Sequence, residues 1–201
     1  MNQTLTSHVH APIATTRSAT GIPTGRLALW WVVASEIAIF GGLIVCYVLF
    51  RLRHPEWAAE AGHTKLLAGA INTFVLLTSS LSVVLAHQAV SDGRLQRAFN
   101  LLWLTIGGGL VFLCVKAYEY TSEITAGYTI GRSVFWAFYY GATGLHALHV
   151  IAGMTVMGII SFAVRQGRDV QRVEYAGIYW HFVDVVWIFL FPLFYIASGL
   201  D

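Results

Sequence analysis

Residues 133–164 read SVFWAFYYGATGLHALHVIAGMTVMGIISFAV and contain no Asp, Glu, Lys or Arg. A helix needs about 20 apolar residues to cross the roughly 30 Å hydrocarbon core of a membrane, so this stretch is long enough to span one. A transmembrane β-barrel would instead show alternating segments of about ten residues. The stretch therefore predicts a membrane-spanning helix.

Four more apolar stretches predict four further spanning helices. The first has Glu36 as its only charge, the second has none, the third ends at Lys116, and the last contains His181 and Asp184. The five predicted spans cover residues 27–50, 66–90, 98–116, 133–164 and 175–200. Short polar connections join them, including one from Lys116 to Arg132. The sequence thus predicts an all-α membrane bundle as a single domain over residues 24–201, after a mobile tail over residues 1–23.

The composition agrees with this class and argues against several others. Of the 201 residues, 57% are hydrophobic and 11% are charged, whereas a soluble domain has about a quarter charged residues. That argues against a cytosolic enzyme and a disordered chain. The net charge is only +2, and no Lys/Arg cluster suits a phosphate backbone, so nucleic acid is not an expected partner. Two cysteines in apolar runs, Cys46 and Cys114, cannot make a four-cysteine zinc site.

The distribution of Lys and Arg predicts the orientation, because cytoplasmic loops are enriched in both. Seven of these residues lie on the side of the N-terminus: Arg17, Arg26, Arg94, Arg97, Arg165, Arg168 and Arg172. Five lie on the opposite side, which also carries most of the acids: Arg51, Arg53, Lys65, Lys116 and Arg132. We therefore expect the N-terminus inside and the C-terminus outside.

Glu36 is the carboxyl group that the sequence places inside the first span. A charge at the centre of a membrane helix costs at least about 2.5 kcal/mol on insertion scales. We therefore expect Glu36 to be protonated or paired. Two interpretations stay open: a buried hydrogen bond between helices, or a protonatable group that serves a pathway.

Two pairs of polar residues are spaced three apart, which places each pair on one helical face. The first is His146 with His149, and the second is His181 with Asp184. Imidazoles in a membrane can bind haem, bind copper or form hydrogen bonds. Two histidines on one helix are poorly placed to bind both faces of a haem, which would need His87 or His181 on a second helix. For His181 and Asp184, an interhelical contact and a proton relay both remain possible.

Other polar residues and small residues predict contacts within the bundle. Asn72 belongs to a polar stripe on the second span, and glycines such as those at 107–109 allow close helix approach. Glu174 lies at the start of the fifth helix, where a carboxylate complements the helix dipole. Pro192 lacks a backbone donor and should bend the last helix.

Taken in order, these segments resemble subunit III of the haem–copper terminal oxidases. The strongest match is YWHFVDVVW at residues 179–187, followed by TGLHALHV at residues 143–150, where Ala147 replaces a more usual glycine. Asn72-Thr73, Glu119-Tyr120 and Glu36 also fit that family's pattern. The similarity covers nearly everything from Gly25 onward. It is to the five-helix form, without the two further N-terminal helices of the seven-helix members.

The resemblance implies a non-catalytic subunit of a proton-translocating oxidase, cytochrome c or quinol oxidase, in a bacterial inner membrane. Its expected role is to support assembly, proton uptake and sustained dioxygen reduction by subunit I. Haems and copper would belong to the partner subunits I and II, while this chain would bind phospholipid. The implied site residues are Glu36 and His149 for a proton or dioxygen pathway, Arg165 for a lipid headgroup, and for polar contacts His146, His181, Asp184, Glu174, Asn72 and Glu119.

Three other functions remain open from the sequence. A subunit III-like component of a nitric oxide reductase would share the same signatures. A haem b membrane anchor would need axial histidines on facing helices, and a small proton-coupled transporter would use Glu36 and Asp184.

Overall fold

The computed structural model describes residues 24–196, so the predicted tail and residues 197–201 lie outside the described part. Its helices are α1 (Thr24–Arg51), α2 (Trp57–Ala61), α3 (Leu66–Ser91), α4 (Leu95–Thr125), α5 (Val134–Arg165) and α6 (Arg172–Phe191), followed by a π-helical turn, Pro192–Ile196. No strand occurs within the described residues. Five of the helices are long and apolar enough to cross a membrane. This confirms the all-α fold and the five predicted spanning helices.

Helix α4 extends further than the sequence indicated. A polar connection was expected from Lys116 onward, but the helix continues to Thr125. Lys116 does not mark a boundary with water, because its side chain is 3% exposed and its ammonium lies 3.0 Å from the carboxylate of Glu119. A charge that is paired inside the protein does not end an apolar helix.

Helices α3 to α6 form a four-helix core, and α3 and α4 make its closest pair. Ser82 Oγ and Thr105 Oγ1 are 2.7 Å apart across this interface. A Cβ atom at Gly108 would lie 2.7 Å from the Cβ of Ser79. The two backbones can therefore approach this closely only because residue 108 has no side chain.

Two tryptophans of α6 fix this helix against α3. Trp180 and Trp187 are fully buried. The Nε1 of Trp180 donates to Ser79 Oγ at 3.1 Å, and that of Trp187 donates to Thr73 Oγ1 at 3.0 Å. Each bond satisfies a buried indole donor and contributes on the order of 0.6 kcal/mol in a membrane bundle.

The end of α6 changes helix type at Pro192. Proline offers no N–H to continue the α-helical ladder, and the chain proceeds as the π-helical turn. Side chains from elsewhere bind the carbonyls of this turn: Tyr47 Oη donates to Leu193 O at 2.9 Å, and Thr64 Oγ1 donates to Phe194 O at 3.1 Å. The turn is thus held against α1 and the α2–α3 connection.

Helix α1 packs against α5 and α6 and is the least covered of the spanning helices. Large apolar side chains point outward from it, and Trp31 is 71% exposed. Three of its residues are buried, Val33, Phe40 and Tyr47. This helix therefore presents most of its surface to whatever surrounds the bundle.

Candidate functional site

Glu36 and His149 meet where α1 packs on α5. The carboxyl Oε2 of Glu36 lies 3.0 Å from Nε2 of His149, and their side chains are 19% and 15% exposed. The fold thus brings together the two residues that the sequence proposed for a proton or dioxygen pathway. Glu36 Oε2 makes no hydrogen bond with the described residues, so the contact is an ion-pair approach without linear hydrogen-bond geometry.

The second ring nitrogen of His149 shows how protons are arranged at this contact. Nδ1 lies 2.8 Å from the carbonyl oxygen of Leu145. A carbonyl only accepts, so Nδ1 carries a proton. A bare Nε2 facing a bare carboxylate at 3.0 Å would place lone pairs against each other. A proton on either the carboxyl or Nε2 would remove that repulsion, so this is the position at which the pair can hold a proton.

Aromatic side chains surround this pair. The ring of Phe40 packs edge-on against the imidazole of His149, with 5.2 Å between centroids, and Phe182 lies 6.4 Å beyond Phe40. Tyr179 Oη donates to the carbonyl of His149 at 3.4 Å. These contacts orient the imidazole and give the pair an apolar setting.

His146 has different surroundings from His149, although both lie on one helix. It is fully buried, and its ring packs 5.3 Å from Phe112 and 5.2 Å from Trp187. Neither of its nitrogens finds a hydrogen-bond partner among the described residues. The two histidines therefore act separately: one faces α1 and the other faces the four-helix core.

His181 and Asp184 are also separated in their contacts. His181 Nδ1 lies 2.5 Å from Ser80 Oγ on α3. Asp184 is 4% exposed, and both of its carboxyl oxygens lack a hydrogen-bond partner within residues 24–196. The structure thus pairs His181 with Ser80 rather than with the carboxyl one turn away.

The remaining predicted residues lie at four separate places. Glu119 accepts from Lys116 and Tyr195 inside the core. Glu174 pairs with Arg26 at 3.2 Å near the start of α6. Asn72 is fully buried, and its amide has no partner in the described part of the chain. Arg165 ends α5 with its guanidinium 5.3 Å from the centroid of Phe99.

The sequence reasoning missed the side chains that surround Glu119. Lys116 and Glu123 lie on the same face of α4 and are 3% exposed, and Tyr139 and Tyr195 complete the group. The spacing of residues 116, 119 and 123 would have placed all three charges on one helical stripe. Treating Lys116 as the end of a span hid that pattern.

Two of the histidines raised as haem ligands, His87 and His181, line one cavity of about 150 Å³ between α3 and α6. This cavity is smaller than cofactor pockets, which measure roughly 300–1,000 Å³. Within the described residues, no three His, Cys, Asp or Glu side chains lie close enough to hold a metal ion.

Comparison with known families decides where this arrangement belongs. The family model for cytochrome c oxidase subunit III matches residues 63–199, which is more than half of the chain. The chain belongs to the cytochrome c oxidase subunit III family.

Individual members of the family agree with that assignment. Cytochrome c oxidase subunit 3 of Thermostichus vulcanus is 38% identical over 169 residues, which are 82% of this chain and 83% of that protein. Subunit 3 of a Synechocystis species is 34% identical, covering 81% of this chain and 71% of the relative. A heme-copper oxidase subunit I+III of Aeropyrum pernix is 31% identical over 86% of this chain, but only 22% of that longer protein is covered.

In this subunit III chain, the signature segments mainly build the bundle. Trp180 and Trp187 of the segment at 179–187 anchor α6 to α3. In the segment at 143–150, Thr143 Oγ1 lies 2.5 Å from Tyr120 Oη on α4. His149, of the same segment, instead reaches outward to Glu36 on α1. The site thus lies at the seam between the core and α1.

Proposed function

We propose that this chain is an accessory subunit of a respiratory haem–copper oxidase, packed beside subunit I, and that its Glu36–His149 pair supports sustained dioxygen reduction. The observation that carries the proposal is the 3.0 Å contact between these two side chains at the exposed helix α1. The Aeropyrum pernix relative, named subunit I+III, supports the contact with subunit I. Subunit II is the second expected partner.

The chain serves the complex without a redox centre of its own. Three histidines of the spanning helices are engaged or enclosed: His149 with Glu36, His181 with Ser80, and His146 between Phe112 and Trp187. Haems and copper then belong to the partner subunits, and subunit III has a non-catalytic role in assembly and proton uptake. The engagement of His181 with Ser80 argues against the haem b anchor, which needs a free axial histidine on each of two facing helices.

The chemistry of the Glu36–His149 pair suits a proton or dioxygen pathway. Nδ1 of His149 is committed to Leu145, so Nε2 is the nitrogen that can exchange a proton with Glu36. It lies in apolar surroundings that dissolve a nonpolar gas better than water does. A proton at this seam has two acceptors 3.0 Å apart, the carboxyl of Glu36 and the imidazole of His149.

The outer surface of the bundle fits bound phospholipid. A groove of about 430 Å³ between α1, α5 and α6 is lined almost entirely by apolar side chains, and Arg172 lies at its edge. Arg165 at the end of α5 is the headgroup candidate from the sequence. We place the subunit in a bacterial inner membrane, with its N-terminus inside and its C-terminus outside, following the distribution of Lys and Arg.

Purification of the tagged chain in mild detergent tests this function. We expect a haem-containing oxidase subunit to co-purify, and the complex to consume dioxygen with cytochrome c or quinol as donor. A stoichiometric Soret band on the chain separated from its partners would support the haem b anchor instead. Co-purification with a complex that reduces nitric oxide and not dioxygen would identify the nitric oxide reductase form.

A further inference from the structure

Five side chains form a second polar group at the end of α4, far along the chain from Glu36. We call it the Lys116 cluster; its members are Lys116, Glu119, Glu123, Tyr139 and Tyr195. The ammonium of Lys116 donates to Glu119 Oε2 at 3.0 Å, to Tyr139 Oη at 3.0 Å and to Tyr195 Oη at 2.9 Å. All three of its protons are therefore used.

The two tyrosines pass the hydrogen bonding on to the two carboxyl groups. Tyr195 Oη donates to Glu119 Oε2 at 3.0 Å, and Tyr139 Oη donates to Glu123 Oε1 at 3.2 Å. The two hydroxyls also lie 3.2 Å apart, at a distance where either could donate to the other. A hydrogen bond to a charged group is stronger than one between neutral hydroxyls, so each hydroxyl accepts from Lys116 and donates to one acid.

The charges of the cluster do not balance if both acids are ionised. Lys116 is 3% exposed, Glu119 is fully buried and Glu123 is 3% exposed. One ammonium can compensate one carboxylate, whereas a second buried carboxylate would be left unpaired, which is strongly unfavourable away from water. One of the two carboxyl groups must therefore hold a proton.

The contacts identify which acid is protonated. Glu119 receives both Lys116 and Tyr195 on one oxygen, so the negative charge is best stabilised there. Glu123 receives only Tyr139. Each acid also has one buried oxygen without a partner among residues 24–196, Oε1 of Glu119 and Oε2 of Glu123. The number of donors on the other oxygen therefore decides, and it assigns the proton to Glu123.

Beyond the cluster lie one further cation, Lys65, and one further acid, Glu60. Lys65, before α3, contributes a positive charge toward Glu123 but donates to Ser122 Oγ at 2.6 Å. On the side of α5, Trp136 packs 5.3 Å from Tyr139, and its Nε1 lies 2.5 Å from Glu60 Oε2 in α2. Tyr120 and Tyr140 complete the neighbouring rings. Glu123 lies two residues before the end of α4, close to the segment that connects α4 to α5.

We propose that the Lys116 cluster is a proton-binding site that holds one exchangeable proton on Glu123, balanced by the Lys116–Glu119 ion pair. The ligand is a proton taken from the water phase at the α2 end of the bundle. This site is separate from the Glu36–His149 pair and does not depend on that pair's role.

Infrared difference spectra of the assembled oxidase complex test this proposal. We expect Glu123→Gln to remove one protonated-carboxyl C=O band, and that band to shift in the parent after transfer to D₂O. Lys116→Met should add a second such band, because both acids then become neutral. Glu56→Gln is the matched control: its own backbone N–H and His54 hold the pKa of Glu56 below its usual range, so the protonated-acid region should not change.

Glu119→Gln tests whether one carboxylate is needed to balance the charge of Lys116, and it is compared with Glu123→Gln in the assembled complex. Glu123 must then ionise to compensate Lys116, so the band should again disappear. Heat denaturation should rank the complexes with the parent and Glu123→Gln together, Glu119→Gln lower, and the double glutamine variant lowest. Identical carboxyl regions for the parent and Glu123→Gln, a band that persists in Glu119→Gln, or a band that does not respond to D₂O would each overturn the proposal.

Discussion

The Glu36–His149 pair and the Lys116 cluster both place a nitrogen 3.0 Å from a carboxyl oxygen, but they lie in different parts of the bundle. The first is at a seam with α1, and its side chains are 19% and 15% exposed. The second is inside the four-helix core, where the side chains of Lys116 and Glu119 are 3% and 0% exposed. The same distance between nitrogen and oxygen therefore occurs in two settings, a partly exposed seam and a closed core.

The two sites differ in the number of side chains that contact the charged group. Lys116 has three oxygen acceptors, and four aromatic rings lie near its ammonium. Within residues 24–196, Glu36 has one ion-pair contact, on a helix that is mostly uncovered. Packing thus makes the Lys116 cluster part of the core, while Glu36 stays accessible from the side of the bundle.

The largest expected contrast is an all-or-none difference in chemical labelling. A hydrophobic carbodiimide dissolves in the bilayer and should modify Glu36, whereas Asp184 and Glu119 are enclosed by the core. Peptide mapping by mass spectrometry of the labelled complex measures this directly. Glu36→Gln should abolish the main label. Equal labelling of Asp184 in the parent would show that the core is as open as the seam.

Replacing tryptophans should separate the two regions by stability. Trp180→Ala removes a fully buried indole and its bond to Ser79, so we expect it to lower the unfolding free energy by about 3–5 kcal/mol. Trp31→Ala is the matched control on α1, where the side chain is 71% exposed. Thermal unfolding of the purified subunit in detergent compares them, and similar losses would contradict the division into core and outer helix.

A smaller effect is expected from adding one methyl group between α3 and α4. Gly108→Ala would bring a Cβ to 2.7 Å from Ser79, and such overpacking costs roughly 1–3 kcal/mol. Gly107→Ala, where no atom of another helix lies within 4 Å of the added carbon, should be neutral or slightly stabilising. The difference in unfolding midpoint between the two variants is the measurement, and no difference would mean that the helices separate at little cost.

Much of the fold was predictable because apolar length decides it. The five runs gave five helices, and Pro192 marked the place where the last helix changes type. The end of α4 was not predictable by the same rule, because a lysine reads as a boundary until its buried partner Glu119 is known.

The candidate site was less accessible to sequence reasoning. The sequence identified Glu36 and His149 singly, and only the packing of α1 on α5 shows that they meet. Spacing also gave no way to tell that His146 faces Trp187 while His149 faces α1, since both lie on one stripe. Helical spacing defines a face but not the neighbour that the face meets.

The most direct test of the account is the number of turnovers that the oxidase complex completes before it inactivates, measured by dioxygen consumption. Glu36→Gln, His149→Gln and the double variant should assemble with the parent's haem content and thermal stability. Each should shorten the working life of the enzyme, and the double variant should do so no more than either single one. Glu174→Gln, which breaks only the surface contact with Arg26, should behave as the parent. The account is contradicted if the Glu36 and His149 variants complete as many turnovers before inactivation as the parent, or if they lose haem and thermal stability. In either case the pair is a packing contact.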